Sequence, residues 1–560
     1  MAPSIDTTLS ELEGLARCYA QDSAEQKQRL LGRLARGRFS SAAQLLRYHE
    51  ILCFLRAYPD DAAVLHDVVA ALSQFGQRAE LSRLRADLVD SGVSGAAIHF
   101  PFHWVTARWL CRHFPKQLHV DWDAFGAREA ERFEHLLPLL LPYAEWPDFD
   151  LKMTAKQWLF RLKGDHETDA SFLVRRFLAL DVEPRVRESL FHDLGKPMRL
   201  EPGPKTPSRT LAFSPVRTIA YQTTALSRAR PDLRKRRPPR SVRNLTGPAA
   251  IHVIDLARAA MITRGRDLDG IMYASEKDVR VFDAGQGLSL VCLGLAPEQR
   301  ALVETIYVFL LLKNGVPIGY FQSALLFESA ELNYHIFPSF RGAEAADIYA
   351  RSLGVVRDVF GINAASIHPY QLGHENEDAL RAGAFWFYAK LGFRPEEATN
   401  RALFEREAAR MERRPAYRSS LATTRKLARS QMYLYFGKKR DDVAGKVPLA
   451  AFPLAVSDYL AKHYGAERER GLADSARRAR ALLGVSCRGW NGAERLAFQR
   501  WAPLVLSLPG VARWSPSQRT QLGAVIRKKG GKREQDFAHG LDQHRALRVA
   551  LMKLSRRTLR

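Results

Sequence analysis

The pair Asn314-Gly315 separates two apolar runs, Leu302–Leu312 and Val316–Phe327. Asn-Gly between two β-type runs is a strong signal for a type I′ hairpin, because both residues tolerate a positive φ. A second turn, at Glu328-Ser329, leads into a third run, Glu331–Phe337. The sequence therefore predicts an antiparallel meander of three strands here, and this part of the chain cannot be all-helical.

Helices and strands alternate in the pattern that follows the meander. Apolar residues recur at helical spacing between Arg341 and Gly361, where the glycine ends the pattern. We expect a short strand at Ala365–His368, a helix at Glu377–Lys390 and a further strand that begins at Phe393. These elements predict a mixed sheet with helices packed against it.

Two earlier strands, Val279–Phe282 and Leu288–Leu293, are predicted on either side of the turn Gly285-Gln286-Gly287. In the remainder of the chain, apolar residues recur mainly at helical spacing. The sequence therefore predicts an α+β fold, with a mixed central sheet and flanking helices between all-helical N-terminal and C-terminal regions. The predicted domains are a helical region over 1–200, a Pro/Arg-rich linker over 201–249, the α/β domain over 250–405 and a basic helical region over 406–560.

The linker carries eight basic residues between Arg228 and Arg243, against the single acid Asp232. Prolines within this stretch favour an extended backbone. Two interpretations stay open: a solvated linker between domains, or a tether for nucleic acid or another acidic surface. Aromatic residues that could stack on bases are absent from this stretch, which favours the solvated linker.

Composition limits the broad class of this protein. The 560 residues suggest two to four domains, and 85 Lys and Arg against 60 Asp and Glu give a formal charge of +25. This charge favours anionic partners, or it reflects arginine-rich solvated helices. The five cysteines show no C-x-x-C spacing, which argues against a disulfide framework or a structural zinc site. The longest apolar stretches are too short to span a bilayer, so we expect a cytoplasmic protein that does not bind membranes.

Two short motifs carry the chemical signal. In the first, Ile336–Ala346, an apolar strand meets a basic turn at Arg341-Gly342 and then a helix. Such a turn offers free backbone N–H groups and the positive end of the helix dipole to an anion. The second motif is Ala384–Pro395, which contains Tyr388-Ala389-Lys390-Leu391-Gly392-Phe393.

In this order and spacing the two motifs resemble the GNAT superfamily of N-acyltransferases. The family's phosphate loop reads roughly Pro-x-x-Arg-Gly-x-Gly-x-Gly or Ala, and its later helix ends in Tyr-x-Lys-Leu-Gly-Phe. The resemblance implies that the turn binds acyl-CoA through Arg341, Gly342, Ala343, Ala345 and Ala346. Glu344 stands where the family usually has a glycine. Its carboxylate either points away from the turn and stabilises the first helical turn, or prevents CoA from binding.

The resemblance also implies catalytic roles. Tyr388 inherits the role of protonating the leaving thiolate, and its alternative is a core tyrosine on an apolar helix face. For the general base, Glu331 and His335 are the candidates on the strand before the turn, where solvated side chains are the alternative. The segment His368–Asn376 is a longer insert than the family's, and we expect it to form an acceptor loop. Its candidate substrate residues are Tyr370, Gln371, His374 and Asn376.

The leading function is transfer of an acyl group, acetyl above all, from acyl-CoA to an amine of unknown identity, by direct attack in a ternary complex and without a metal. The first alternative is a catalytically silent GNAT-like fold that binds a protein or ligand, with the helical regions as protein-binding surfaces. The second alternative is association with nucleic acid through the basic linker and the basic C-terminal region.

Overall fold

The structure is a computed structural model and describes residues 4–146, 152–195, 198–342 and 344–558. Its chain divides into two compact units. The first unit comprises Met1–Ala225, His252–Met272 and Lys313–Pro317, and the second comprises Leu226–Ile251, Tyr273–Leu312 and Ile318–Arg560. The four sequence segments proposed above stay a prediction of domain organisation.

Helices are the main regular structure of the chain before residue 273. Helix α3 begins after Ser41, whose side chain accepts a hydrogen bond from the amide of Gln44, and α4 begins after Asp61 in the same manner. The helices here are α1 Ile5–Leu15, α2 Ser23–Arg36, α3 Ala42–Ala57, α4 Ala62–Phe75, α5 Ala79–Arg83, α6 Trp104–His113, α7 Ala127–Leu136, α8 Ala155–Lys163, α9 Asp169–Leu178, α10 Pro184–Asp193, α11 Pro248–Ile262 and α12 Asp269–Met272.

The prediction of an all-helical N-terminal region is wrong in one respect, since this region contains a three-stranded antiparallel sheet. Its strands are β1 Ile98–Phe100, β2 Leu118–Val120 and β3 Met198–Leu200, in the order β1-β3-β2. Three residues are too few for a two-residue hydrophobic period to be recognised. Tertiary contacts hold them instead: the buried carboxylate of Asp169 accepts hydrogen bonds from the amide of Val120 and from Trp122 Nε1.

Nine strands form a second, mixed sheet, and most of their residues belong to the second unit. Its strands are β4 Ser241–Leu245, β5 Ala274–Gly285, β6 Leu288–Leu295, β7 Thr305–Lys313, β8 Val316–Leu326, β9 Ser329–Ile336, β10 Ala364–Ile367, β11 Arg394–Pro395 and β12 Met432–Tyr435. The strand order is β11-β12-β10-β9-β8-β7-β6-β5-β4. β9 and β10 run parallel, whereas β12 is antiparallel to both of its neighbours.

The predicted hairpin and meander are confirmed. Asn314 and Gly315 have φ of 48° and 81°, the pair of positive values that a type I′ turn requires. The Asn314 side chain is buried, and its Nδ2 donates to the carbonyl oxygens of Ala57 at 2.9 Å and Ala220 at 3.0 Å. Phe327 and Glu328 also have positive φ at the next turn, so β7, β8 and β9 follow one another directly.

The helices after residue 340 pack against the sheet or against one another. α13 ends where its glycine predicted, because Gly361 adopts the left-handed conformation and its amide donates to the Arg357 carbonyl. These helices are α13 Ala345–Phe360, α14 Pro369–Leu372, α15 Glu377–Arg381, α16 Ala384–Lys390, α17 Ala398–Arg413, α18 Leu421–Leu427, α19 Ala451–Tyr464, α20 Arg468–Leu483, α21 Gly492–Ser507, α22 Pro516–Lys529, α23 Gln535–Gln543 and α24 Arg545–Thr558.

Three other expectations need correction. The single helix predicted over Glu377–Lys390 is interrupted at Gly383, whose φ of 71° separates α15 from α16. The strand expected from Phe393 is only the two-residue β11. The C-terminal region is not all-helical, because β12 enters the sheet between β10 and β11.

Part of the predicted linker is built into the second unit. β4 pairs antiparallel with β5, and Arg237 Nη1 donates to Asp347 Oδ1 of α13 at 3.0 Å. The backbone of Arg237 lies against Gly354 of α13, where a Cβ atom would stand 2.3 Å from the Arg237 carbonyl oxygen. A glycine at this position therefore allows the segment to pack closely against the helix.

The C-terminal helices share a core with the sheet. Trp501, Phe498 and Phe537 of the helices are buried in one cluster with Leu326 and Phe327 at the end of β8. Among the described residues, no helix combines the length and the apolar character needed to cross a membrane.

A buried ionic cluster reinforces this contact. The guanidinium of Arg300 donates to the carbonyl oxygens of Leu295, Lys529 and Gly531 at 3.1, 2.6 and 2.7 Å. Lys529 Nζ donates to the Glu304 carbonyl at 2.7 Å and forms a salt bridge with Glu534. Burial lowers the pKa of Lys529 and raises that of Glu534, so each ion depends on its partner. The turn after α22 has basic side chains, but its backbone carbonyl oxygens accept hydrogen bonds from the Arg300 guanidinium.

Replacing Arg300 by Leu should destabilise the second unit, because the carbonyl oxygens of Lys529 and Gly531 lose their buried donor and Glu534 loses a nearby cation. Breaking a buried ionic group of this kind costs about 3 kcal/mol of unfolding free energy. Differential scanning calorimetry should show a lower melting temperature. The matched control is Arg401→Leu, which removes an exposed pair with Glu405 and should change the melting temperature little. Equal shifts in the two variants would contradict the role given to Arg300.

Candidate functional site

The connection from β9 to α13 has the shape that an anion site requires. β9 ends at Ile336, a 3₁₀ turn spans Pro338–Phe340, and Gly342 has φ of 78° before the helix begins. A positive φ is readily adopted by glycine, which explains its place in the turn. Arg341 is exposed, and its Nε reaches back to the Ile336 carbonyl oxygen at 3.4 Å. The turn thus presents a cation beside the N-terminal end of α13.

The small residues of the motif lie on the first turn of α13. Ala345 and Ala346 are partly exposed, and the hydroxyl of Tyr334 donates to the Ala345 carbonyl oxygen at 2.8 Å. Ala343, the remaining predicted contact, lies outside the described residues. Glu344 is the N-cap residue of α13, but its side chain accepts no hydrogen bond from the first turn. It is 9% exposed, so the carboxylate is turned into the protein rather than towards solvent.

β9 and β10 stay paired over a short distance only. The parallel register joins Ser329, Ala330 and Glu331 of β9 to Ala364, Ala365 and Ser366 of β10. Within the described residues, β9 from Leu332 to Ile336 pairs with β8 alone. The peptide groups on the other side of this half of β9 form an open strand edge, the kind of edge that can pair with an extended ligand. The opening leads towards the turn at Arg341-Gly342.

Tyr388 lies in an aromatic cluster beneath α13. Its ring centroid is 5.7 Å from that of Tyr349, 5.2 Å from Phe387 and 5.8 Å from Phe393. Burial raises the pKa of Tyr388, so the phenol keeps its proton at neutral pH. Tyr334 joins the same cluster, since its ring stacks on Phe387 at 6.1 Å. The α16 motif therefore faces the same side of the sheet as Tyr334.

The two candidate bases lie on the other face of β9. Side chains alternate along a strand, so Glu331 and His335 point away from the face of Tyr334. Glu331 Oε2 accepts a hydrogen bond from Gln431 Nε2 at 2.7 Å, and the His335 ring stacks on Tyr320 at 5.3 Å. The structure thus places Tyr388 on one face of the sheet, and Glu331 and His335 on the other.

The segment that we expected to form the acceptor loop is held by short-range hydrogen bonds. Tyr370 and Gln371 lie in α14, and Tyr370 is 51% exposed. Asn376 caps α15 through its side-chain oxygen, and its Nδ2 donates to the Tyr370 carbonyl oxygen at 3.2 Å. His374 Nε2 lies 4.0 Å from Glu375 Oε1, with both side chains partly or fully exposed. Tyr370 is accordingly an accessible aromatic side chain of this segment.

Sequence reasoning missed two polar residues near Glu331. Gln431, one hundred residues away in the chain, bridges Glu331 and Ser366 through its Nε2. Glu304, just before β7, is largely buried, and its pKa is raised to about 7 by burial and by the nearby carboxylates of Glu331 and Glu534, with Lys529 opposing the shift. No local spacing in the sequence indicates either contact.

Comparison of the chain with protein-family models, with curated proteins and with solved structures finds no match. The family resemblance therefore rests on the two motifs alone. Among the described residues, no three His, Cys, Asp or Glu side chains are grouped as a metal site would require.

Replacing Glu304 by Gln should remove one source of pH dependence in stability. The folded state keeps the proton up to a pKa of about 7, whereas the unfolded state releases it near the ordinary 4.5. The folded state therefore binds more protons between these values, and wild-type stability falls by about 3 kcal/mol as the pH rises through this window.

Thermal unfolding at pH 4.5 and pH 8 checks this expectation. The Glu304→Gln variant should match the wild type at pH 4.5 and melt at a higher temperature at pH 8. The exposed Glu298→Gln variant serves as the control and should shift equally at both pH values. A Glu304→Gln variant with the pH dependence of the wild type would show that this carboxyl group is not perturbed.

Proposed function

We propose that this chain is an acyl-CoA-dependent N-acyltransferase that transfers an acyl group, acetyl in the first instance, to an amine. The observation that carries the proposal is the open edge of β9, which leads directly into the turn at Arg341-Gly342 and the N-terminus of α13. The pantetheine arm of CoA contains amides that can pair with a strand edge. Its pyrophosphate is an anion that backbone N–H groups at a helix N-terminus favour. The two features lie in the order that such a ligand needs.

In the proposed reaction the acceptor nitrogen attacks the thioester carbonyl carbon within a ternary complex. Glu331 or His335 accepts the amine proton, the carbon–sulfur bond breaks, and the Tyr388 phenol gives its proton to the departing thiolate. Burial raises the pKa of Tyr388, so the phenol is protonated at neutral pH and is a weaker acid than an ordinary tyrosine. Positioning by the protein supplies most of the rate enhancement, since the thioester is already activated.

The acceptor is expected to approach past α14, where Tyr370, Gln371 and His374 offer an aromatic ring and polar groups. Asn376 is already engaged with the Tyr370 carbonyl oxygen and the first turn of α15, so we assign it to shaping the loop.

One specific observation favours the alternative of a silent fold that binds a ligand or protein without catalysis. Glu344 is buried at the N-cap of α13, where its negative charge offsets the helix dipole that favours an anion by about 0.3–1 kcal/mol. If the carboxylate neutralises the N-terminus of the helix, the turn cannot hold a pyrophosphate.

Titration calorimetry with acetyl-CoA distinguishes these alternatives. We expect a dissociation constant of roughly 1 µM to 1 mM, and Arg341→Glu should weaken binding at least about tenfold by reversing the charge beside the pyrophosphate. Arg401→Glu, an exposed change on α17, is the control and should leave affinity unchanged. An absence of binding at millimolar acetyl-CoA would favour the silent fold.

Replacing Tyr388 by Phe should lower kcat about 100-fold and leave the KM for acetyl-CoA unchanged, because only protonation of the leaving group is lost. Release of free thiol from acetyl-CoA with a panel of amines provides the rate. Glu331→Gln and His335→Gln, measured in the same assay, should separate the two candidate bases. Unchanged turnover in Tyr388→Phe would assign the ring to packing only.

A further inference from the structure

The last hundred residues of the chain account for most of its net positive charge. Residues 461–560 contain 22 Lys and Arg against 7 Asp and Glu, whereas the whole chain has a formal charge of +25. These residues form the helices from α20 to α24 and the end of α19. An excess of this size in one region is the electrostatic footprint of a polyanion partner.

A groove between α20 and α21 concentrates this charge. It has a volume of about 820 Å³, and the loop from Gly484 to Arg488 closes one end. Its lining contains the four arginines Arg477, Arg480, Arg488 and Arg495, and no acidic residue is among the described residues that line it. Val485 and Phe498 supply an apolar floor.

The acidic residues next to the groove are already paired. Asp474 accepts hydrogen bonds from Tyr464 and Arg477. Glu494 accepts from the Asn491 amide at 2.9 Å and from Arg527 Nε at 2.9 Å. Arg480, Arg488 and Arg495 are exposed, and their guanidinium groups contact no acidic partner in the described part of the chain. Three unpaired charges therefore face the same concave surface.

We propose that this groove binds a single strand of nucleic acid through its phosphates. Arginine suits the role because its planar guanidinium can hold a phosphate with two parallel hydrogen bonds. A concave groove of this size accepts one strand, whereas a duplex requires a convex element that enters its own groove. The apolar floor provides a surface for sugar or base edges. This site is independent of acyl transfer and differs from the linker, which packs along α13.

Fluorescence anisotropy with a labelled 20-nucleotide single strand tests the proposal in the full-length protein. The variant carries Arg480→Gln, Arg488→Gln and Arg495→Gln. We expect its affinity at 0.1 M salt to fall at least about tenfold. The slope of log K against log salt should become shallower by about 2, which corresponds to about 0.7 for each lost phosphate contact.

The control variant carries Arg406→Gln, Arg413→Gln and Arg414→Gln, which remove the same charge from exposed positions on and just after α17. It should retain most of the affinity and the salt slope. Should the groove variant fail to fold, each single replacement should reduce the slope by about 0.7.

Equal losses in the groove and control variants would overturn the proposal, since binding would then reflect net charge alone. An equally tight complex with a 20-residue polyglutamate would overturn it in favour of an acidic peptide. Tighter binding of a duplex than of the single strand would exclude the groove as the binding surface, as would the absence of binding at 0.1 M salt.

Discussion

The buried guanidinium of Arg300 is the interaction on which the second unit depends. It follows β6 in the chain and meets the carbonyl oxygens that end α22, so the sheet and the C-terminal helices cannot separate without stripping a buried cation of its acceptors. A second set of contacts also joins the sheet to the C-terminal helices. The Tyr307 hydroxyl donates a hydrogen bond to Asp278 and accepts one from the Gln535 amide. The C-terminal helices are therefore part of the same folded unit as the sheet.

A second constraint lies beside β9. Strand β12 pairs with β10 over four residue pairs, on the side away from β9. β10 is thus paired with β12 on one side, while its pairing with β9 on the other side ends at Ser366. Gln431 Nε2 bonds both Glu331 and Ser366 at the last pair, and beyond this point β9 continues alone on that side. The open edge is a product of tertiary structure, although the turn beyond it is local.

Local signals predicted the parts of the fold that local chemistry determines. The pair Asn314-Gly315 and the C-cap Gly361 readily adopt the positive φ that these turns require, so the hairpin and the end of α13 follow from the sequence. Strands of two to five residues such as β4, β11 and β12 lack a measurable period and exist because a partner strand is present. The candidate site likewise contains a part that local sequence determines and a part that depends on contacts between distant residues. The placement of Arg341 and Gly342 in a turn was predictable, whereas the contacts of Glu304 and Gln431 join residues far apart in the chain, and no spacing rule indicates them.

The position of the candidate groups restricts the chemistry that this unit can perform. Tyr388 is buried on the α13 face, and Glu331 lies on the opposite face, so both can act on one substrate only if that substrate passes between β9 and β10. An extended donor that pairs with the free edge of β9 satisfies this condition. The same geometry places the carboxyl of Glu304 near that of Glu331, and burial keeps Glu304 neutral below a pH of about 7. Below that pH, Glu304 adds no negative charge beside Glu331.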